Sequence, residues 1–79
     1  MKTDKCLEVV RQDEEVISPS SRVPYYPLVI KRGHDAVVED IDGNEYIDLL
    51  SSAGALNTGH SHPRVVEAVT RQVKDFIHY

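Results

Sequence analysis

The sequence predicts an α+β fold, in which a short antiparallel sheet built around a hairpin is followed by an amphipathic helix. Residues 36–50 form two β-prone runs separated by Asp42 and Gly43. This pair is a strong hairpin signal, because Asp and Gly both tolerate the positive φ of a tight turn. After Pro63, valines recur at the spacing of one helix face.

Composition limits the size and class of the protein. Its 79 residues are 41% hydrophobic and 28% charged, which is ordinary for a globular chain and allows at most one domain. A chain this short buries only about 60% of its unfolded surface, so we expect a lean mini-domain or part of something larger. A net charge of −4 argues against a nucleic-acid partner.

Cysteine usage and hydropathy indicate the compartment. Cys6 is alone, which excludes an intrachain disulfide and fits a reducing environment. We interpret it as an incidental thiol near a frayed end. The sequence has no apolar run long enough to span a bilayer, and its start lacks the apolar centre of a signal peptide. These features predict a cytoplasmic protein with no membrane partner.

The first zone, residues 1–21, is mostly polar. Leu7, Val10 and Ile17 form only a thin apolar stripe, so a short helix and a disordered lead-in remain alternatives. Residues 18–21 then predict a loop, because serine and proline interrupt the pattern.

The second zone contains the predicted sheet. Pro24 and Pro27 favour extended backbone in the residues before them. The β-branched run 28–30 and the two hairpin runs predict two or three antiparallel strands. Four carboxylates lie in or beside the hairpin, but their spacing does not match a calcium loop, and we interpret them as solvated: Asp40, Asp42, Glu45 and Asp48.

The third zone is a loop of small residues, 51–61, followed by a helix. With little side chain to fill a core, the loop backbone can approach another surface or a ligand closely. Ser61, His62 and Pro63 predict a helix start. We expect about four turns, with an apolar stripe formed by Val65, Val69, Val73 and Phe76. The apolar, aromatic end of the chain leads us to expect a piece of a longer protein.

Other chemistries in this zone are disfavoured. His60 and His62 have the spacing of metal ligands, but the sequence offers no defined third ligand, and we favour a loop-and-cap role. A serine paired with His60 lacks a nucleophile motif. The glycines at 54 and 59 have no following lysine, which argues against a nucleotide phosphate loop.

Three stretches together resemble the amino-terminal region of class III aminotransferases, which are pyridoxal-phosphate enzymes of fold type I. They are residues 42–49 (DGNEYIDL), 55–63 (ALNTGHSHP) and the helix that begins at 65. The resemblance extends over residues 22–79 and is greatest to 4-aminobutyrate aminotransferases and other ω-amino-acid transaminases. Residues 53–57 also resemble diaminobutyrate aminotransferases.

The resemblance implies that residues 22–79 form the amino-terminal part of the small domain, with a loop that reaches toward the active site. It implies that Ala53 lies in the substrate pocket, where relatives carry an Ile or Tyr that touches the amino donor, and that Ala makes the pocket roomier. Gly54 and Ala55 would be substrate-binding neighbours. By the same resemblance, Asn57, Gly59, His60 and Pro63 shape the loop and start the helix.

The resemblance also implies what this chain lacks. The Schiff-base lysine, the acidic partner of the pyridine nitrogen and the phosphate-binding loop lie further along the chain in the family. We therefore expect no catalytic, cofactor-binding or metal-binding residue here, and pyridoxal phosphate only in the intact enzyme. That enzyme would be a homo-oligomer that transfers an amino group from an ω-amino acid to 2-oxoglutarate.

Several alternatives remain open. Within the family, acetylornithine, ornithine and diaminobutyrate aminotransferases and the semialdehyde aminomutases share this opening region. A hypothesis from another class is that the chain is a non-catalytic remnant. It would associate with copies of itself through the hairpin edges and the apolar helix face. An independent small binding module is a third hypothesis.

Overall fold

The computed structural model describes residues 1–21 and 26–79. The predicted extended stretch at Pro24 and the predicted domain boundary at residue 22 fall outside the described residues. The elements are α1 (Asp4–Val16), a 3-10 turn (Pro19–Ser21), β1 (Ile30–His34), β2 (Val37–Asp40), β3 (Glu45–Ile47), a short helical turn α2 (Ser51–Gly54) and α3 (Pro63–Val73). The predicted α+β fold with a short antiparallel sheet is confirmed.

The three strands form one antiparallel sheet in the order β1-β2-β3. The predicted turn joins β2 to β3, where Gly43 has a φ of 90° and its N–H donates to the Asp40 carbonyl at 3.1 Å. Val38 pairs with Tyr46 across this hairpin. The register places alternate β2 side chains on the covered face, and both Val38 and Asp40 are buried there.

The amino-terminal segment is a helix, and its attachment to the sheet was not predicted. Thr3, at the helix start, makes no side-chain capping bond. Instead, the carboxylate of Asp42 accepts the backbone N–H groups of Lys5 (3.1 Å) and Cys6 (2.9 Å). A carboxylate suits this position, because the first N–H groups of a helix lack partners and carry partial positive charge.

Cys6 is fully buried, so the interpretation of an incidental thiol near a frayed end is wrong. Its Sγ accepts the N–H of Val29 at 3.4 Å, which ties α1 to the residues before β1. The packed face of α1 contains Cys6 and the half-buried Val10, whereas Leu7 is 52% exposed. The apolar residues of the sequence predicted a different packed face for α1. The observed face is set by the buried Cys6 thiol and by the Asp42 carboxylate from the hairpin.

Helix α3 begins at Pro63 as predicted, and the Nδ1 of His62 caps it by accepting the Arg64 N–H at 3.2 Å. The helix has 11 residues, about three turns rather than the predicted four. Beyond Val73 the chain makes one further turn, in which the N–H groups of Asp75 and Phe76 both bond to the Gln72 carbonyl at 3.0 Å. The predicted apolar stripe remains about half exposed along its length, at Val65, Val69, Val73 and Phe76.

The chain exposes more surface than a compact protein of its size. Its accessible surface is 6725 Å², against about 4800 Å² expected for a globular protein of 8.9 kDa. Apolar side chains on α3 account for part of this excess. Within residues 1–21 and 26–79, no helix has both the length and the apolar character needed to cross a membrane.

Candidate functional site

The segment around His60 docks on the turn between β1 and β2. The N–H of His60 donates to the Asp35 carbonyl at 2.8 Å, and the N–H of Asp35 donates to the His60 carbonyl at 3.1 Å. Two glycines permit this approach. A Cβ on Gly59, whose φ is 82°, would lie 3.1 Å from the Asp35 backbone, and one on Gly33 would lie 2.9 Å from the His60 side chain. Glycine is therefore required at position 59 for two reasons: its positive φ, and the lack of space for a Cβ beside the Asp35 backbone.

His60 also pairs with Asp48, twelve residues earlier in the chain. The His60 Nε2 lies 2.6 Å from the Asp48 Oδ2, and the two side chains are only 19% and 16% exposed. The Ser51 N–H, followed by the His60 side chain, lowers the pKa of Asp48, so the carboxylate is ionised and His60 donates. Such a charge-assisted bond is stronger than one between neutral groups.

The second oxygen of Asp48 holds the next segment. Its Oδ1 accepts the backbone N–H groups of Leu50 and Ser51, each at 2.9 Å. One carboxylate therefore links His60 to the residue at which α2 begins. This side chain is half-buried and fully engaged, so the interpretation of Asp48 as a solvated hairpin residue is wrong.

The turn α2 is left-handed. Ser51, Ser52 and Ala53 have φ values of 54°, 50° and 57°, and Gly54 has a φ of 92°. For residues other than glycine this conformation costs about 1–2 kcal/mol each, so a run of three is unusual. Strained backbone of this kind persists where the surroundings hold it, and it occurs often at ligand sites.

The predicted substrate-binding residues lie in and immediately after this turn. Ala53, Gly54 and Ala55 are all exposed, and a Cβ on Gly54 would meet nothing within 4 Å. The loop therefore presents nearly bare backbone at the surface. Their contact with a substrate stays a prediction.

Beside the turn lies a cavity of about 280 Å³, whose lining includes Asp48, Ser51, Leu56 and His60. A larger cavity of about 590 Å³ lies between α1 and the residues before β1, lined by Val9, Val10, Ile17, Leu28 and Val29 among others. Neither cavity has a lysine in its lining. These described residues therefore do not fit a covalently held pyridoxal phosphate.

A second polar cluster surrounds Asp40 at the hairpin. Asp40 is fully buried and its oxygens accept N–H groups of Asp42 and Asn44 (2.9 Å each), the Asn44 amide (3.0 Å) and the Tyr46 hydroxyl (2.7 Å). Burial raises the pKa of Asp40, but these hydrogen bonds outweigh it and bring the pKa to about 2. The same bond to Asp40 raises the pKa of Tyr46 to about 12. The interpretation of Asp40 as a solvated residue is wrong, because these donors replace the water.

In the described part of the chain, possible metal ligands meet at Cys6, Asp40 and Asp42, whose ligand atoms lie within 4.8 Å of one another. All four carboxylate oxygens already accept hydrogen bonds from protein donors. The cluster therefore stabilises the junction of α1 with the hairpin. His60 and His62 have the predicted loop-and-cap roles, through Asp48 and Arg64 respectively.

Sequence reasoning missed the hydrogen bonds of Asp48 to the loop backbone and its contact with His60. A signal was present, since Asp48 follows β3 and lies shortly before the small-residue loop, where a carboxylate can accept unpaired N–H groups. The contact between Asp48 and His60 had no such signal, because it depends on how the loop folds back onto the β1–β2 turn.

Comparison with known proteins identifies the class to which this geometry belongs. The family model for class-III aminotransferases matches residues 17–79, and the chain belongs to this family. A crystal structure of acetylornithine aminotransferase from Elizabethkingia anophelis superposes with a TM-score of 0.77 at 33% identity, covering 89% of this chain and 17% of that one. A structure described as a transaminase with PLP bound superposes with a TM-score of 0.82 at 31% identity, covering 100% of this chain and 20% of that one.

Curated relatives carry several activities. Isoleucine 2-epimerase of Lentilactobacillus buchneri is 45% identical over 78 residues, 99% of this chain and 17% of that protein. Alanine/serine racemase of Pyrococcus horikoshii is 42% identical over 70 residues, 89% of this chain and 15% of that protein. A probable 4-aminobutyrate aminotransferase of Bacillus subtilis is 51% identical over 47 residues, 60% of this chain and 11% of that protein. The chain thus spans less than a fifth of the length of each of these relatives.

Proposed function

We propose that this chain is the amino-terminal segment of a pyridoxal-phosphate-dependent aminotransferase. The whole protein would transfer an amino group from an ω-amino acid, such as 4-aminobutyrate, to 2-oxoglutarate. The observation that carries the proposal is the class-III aminotransferase match over residues 17–79. The choice of donor is supported by the likeness to the probable 4-aminobutyrate aminotransferase of Bacillus subtilis.

The contribution of this segment follows from its surface and its loop. We propose that residues 53–55 form a wall of the substrate pocket, whereas the lysine that holds pyridoxal phosphate belongs to the remainder of the protein. The excess of exposed surface and the half-exposed apolar face of α3 support docking onto such a remainder. We also propose that the whole protein is a homo-oligomer and is located in the cytoplasm.

The test uses the whole protein that carries this segment, loaded with pyridoxal phosphate. Incubation with 4-aminobutyrate and 2-oxoglutarate should produce glutamate, and omission of either substrate should abolish it. Ornithine, acetylornithine and diaminobutyrate are the comparison donors. Failure of every donor would contradict the aminotransferase proposal.

The isolated segment provides a separate control. Mixed with pyridoxal phosphate, it should give no aldimine absorbance band, because the attachment lysine is proposed to lie elsewhere. A clear band would contradict that part of the proposal. Light scattering after size exclusion tests the alternative of a non-catalytic remnant, which predicts a stable self-assembly and an inactive whole protein.

A second candidate activity is amino-acid epimerisation. It is favoured by the identity to isoleucine 2-epimerase and alanine/serine racemase, which extends over most of the chain. Epimerisation inverts the α-carbon and consumes no 2-oxo acid. Chiral chromatography of L-isoleucine and L-alanine, incubated with the holoenzyme alone, therefore separates the two activities.

A further inference from the structure

We propose that Asp48 and His60 are a positioning pair, which fixes the left-handed turn α2 in the orientation that meets the substrate. Neither residue needs to touch the substrate in this role. The substrate part of the inference rests on the proposed function, whereas the hold on the turn does not.

The first step of the argument is the double use of the Asp48 carboxylate. Its Oδ1 accepts the N–H groups of Leu50 and Ser51, which are the residue before α2 and the first residue within it. Its Oδ2 accepts the His60 Nε2–H at 2.6 Å. Rotation of the carboxylate to release His60 would also disturb the start of the turn.

The second step is the anchoring of His60. Its backbone is fixed by two hydrogen bonds to Asp35 at the β1–β2 turn, and its side chain lies directly over Gly33 in β1. The imidazole is therefore attached to the sheet through main chain and packing. Asp48 transmits that attachment to α2.

The third step is that the left-handed backbone of α2 needs to be stabilised from outside the turn. Three residues other than glycine adopt positive φ in α2, and two of them, Ser52 and Ala53, are exposed and have little packing to keep them there. Without the carboxylate, right-handed or extended backbone is the more stable choice for these residues. Ala53, the predicted pocket residue, lies within this turn, so relaxation would move it.

The experiment compares removal of the pair with its conservative replacement in the holoenzyme. Asp48→Ala and His60→Ala remove the bonds. Asp48→Asn keeps an acceptor for the two backbone N–H groups and a donor for neutral His60, and His60→Gln places an amide N–H near the position of Nε2. His34→Ala is the matched control, since the exposed His34 and Asp35 form the same kind of pair at 3.1 Å.

Two measurements are made on each variant. Hydrogen exchange of the peptide covering residues 49–56 should be at least about fivefold faster in the two alanine variants and near normal in the others. The KM for the amino substrate should rise about tenfold in the alanine variants, with a smaller change in kcat, because displaced binding groups weaken substrate positioning. The substrate is 4-aminobutyrate, or L-isoleucine if the holoenzyme epimerises.

The outcomes separate this inference from the proposed function. Faster exchange with a raised KM, both reversed in Asp48→Asn and His60→Gln, supports the inference. Unchanged exchange in Asp48→Ala overturns it, and faster exchange with unchanged KM overturns its substrate role. If the unsubstituted holoenzyme neither transaminates nor epimerises, the proposed function fails, and the exchange data alone decide whether the pair holds the turn.

Discussion

The Asp42 carboxylate, in the turn between β2 and β3, accepts a 2.9 Å hydrogen bond from the backbone N–H of Cys6 at the start of α1. The two residues are 36 positions apart in sequence. A helix that lacks a local side-chain cap is therefore capped by a distant hairpin. Burial raises the pKa of Asp42, but the bonds from the Cys6 and Lys5 N–H groups outweigh it and lower the pKa, as expected for a carboxylate at a helix start.

The first prediction concerns this remote cap. Asp42→Ala should leave the first N–H groups of α1 without partners, and exchange of the Lys5 and Cys6 amides should accelerate roughly fivefold. Asp42→Asn, which retains one acceptor oxygen, should give an intermediate rate. Hydrogen exchange measured by mass spectrometry on the amino-terminal peptide checks this, and equal rates in all three proteins would contradict the capping role.

The second prediction concerns stability in acid. Asp40 has a folded pKa of about 2, below the ordinary 3.8, so its ionised form stabilises the fold above about pH 4. That stabilisation should be lost as the pH falls through 2, because protonation then becomes favourable in the folded state as well. Asp40→Asn should lower Tm at pH 7 by about 10 °C and flatten the decline between pH 4 and pH 2.

Thermal unfolding followed by circular dichroism across this pH range checks the prediction. Asp35→Asn is the control, since the Asp35 side chain is 81% exposed and should leave the profile unchanged. An Asp40→Asn protein that keeps the full acid transition would show that another carboxylate causes it.

The third prediction separates steric from conformational effects at glycine. Gly59 and Gly43 both have positive φ, but only Gly59 lies against backbone, with Asp35 atoms 3.1 Å from the position of a Cβ. Gly59→Ala should therefore cost about 2–3 kcal/mol of unfolding free energy, against about 1 kcal/mol for Gly43→Ala. Denaturant unfolding of both variants gives the difference, and equal losses would argue against close docking of this segment.

The fourth prediction concerns the pocket wall. Ala53→Tyr should fill space beside the amino donor and reduce kcat/KM for bulky donors by about tenfold, with less effect on small ones. Tyr is chosen because a β-branched residue fits poorly at a φ of 57°. Kinetics with a series of amino donors check this, and Glu67→Tyr, on the polar face of α3 opposite the apolar stripe, is the control. An equal loss of kcat/KM for small and bulky donors would contradict the prediction that Ala53 lines the substrate pocket.

The local features of the fold could be predicted from sequence. Asp42 and Gly43 specified the hairpin, because positive φ at the turn is a property of those residues themselves. Pro63 specified the start of α3 for a similar reason, since its missing N–H is unneeded there. The motif residues around Asn57 and His60 led to the family, which residues 17–79 then matched.

The sequence by itself determined the strands, the turn, the start of the last helix and the family, because each depends on the preferences of neighbouring residues. Only the tertiary structure decided that Asp40 and Cys6 are buried, that Asp42 caps α1 and that Asp48 joins His60 to the left-handed turn. Polar side chains are ordinarily solvated, and their burial becomes favourable only when hydrogen-bond donors from distant segments lie beside them. The positions of those donors depend on the chain topology, which cannot be predicted from the pattern of neighbouring residues.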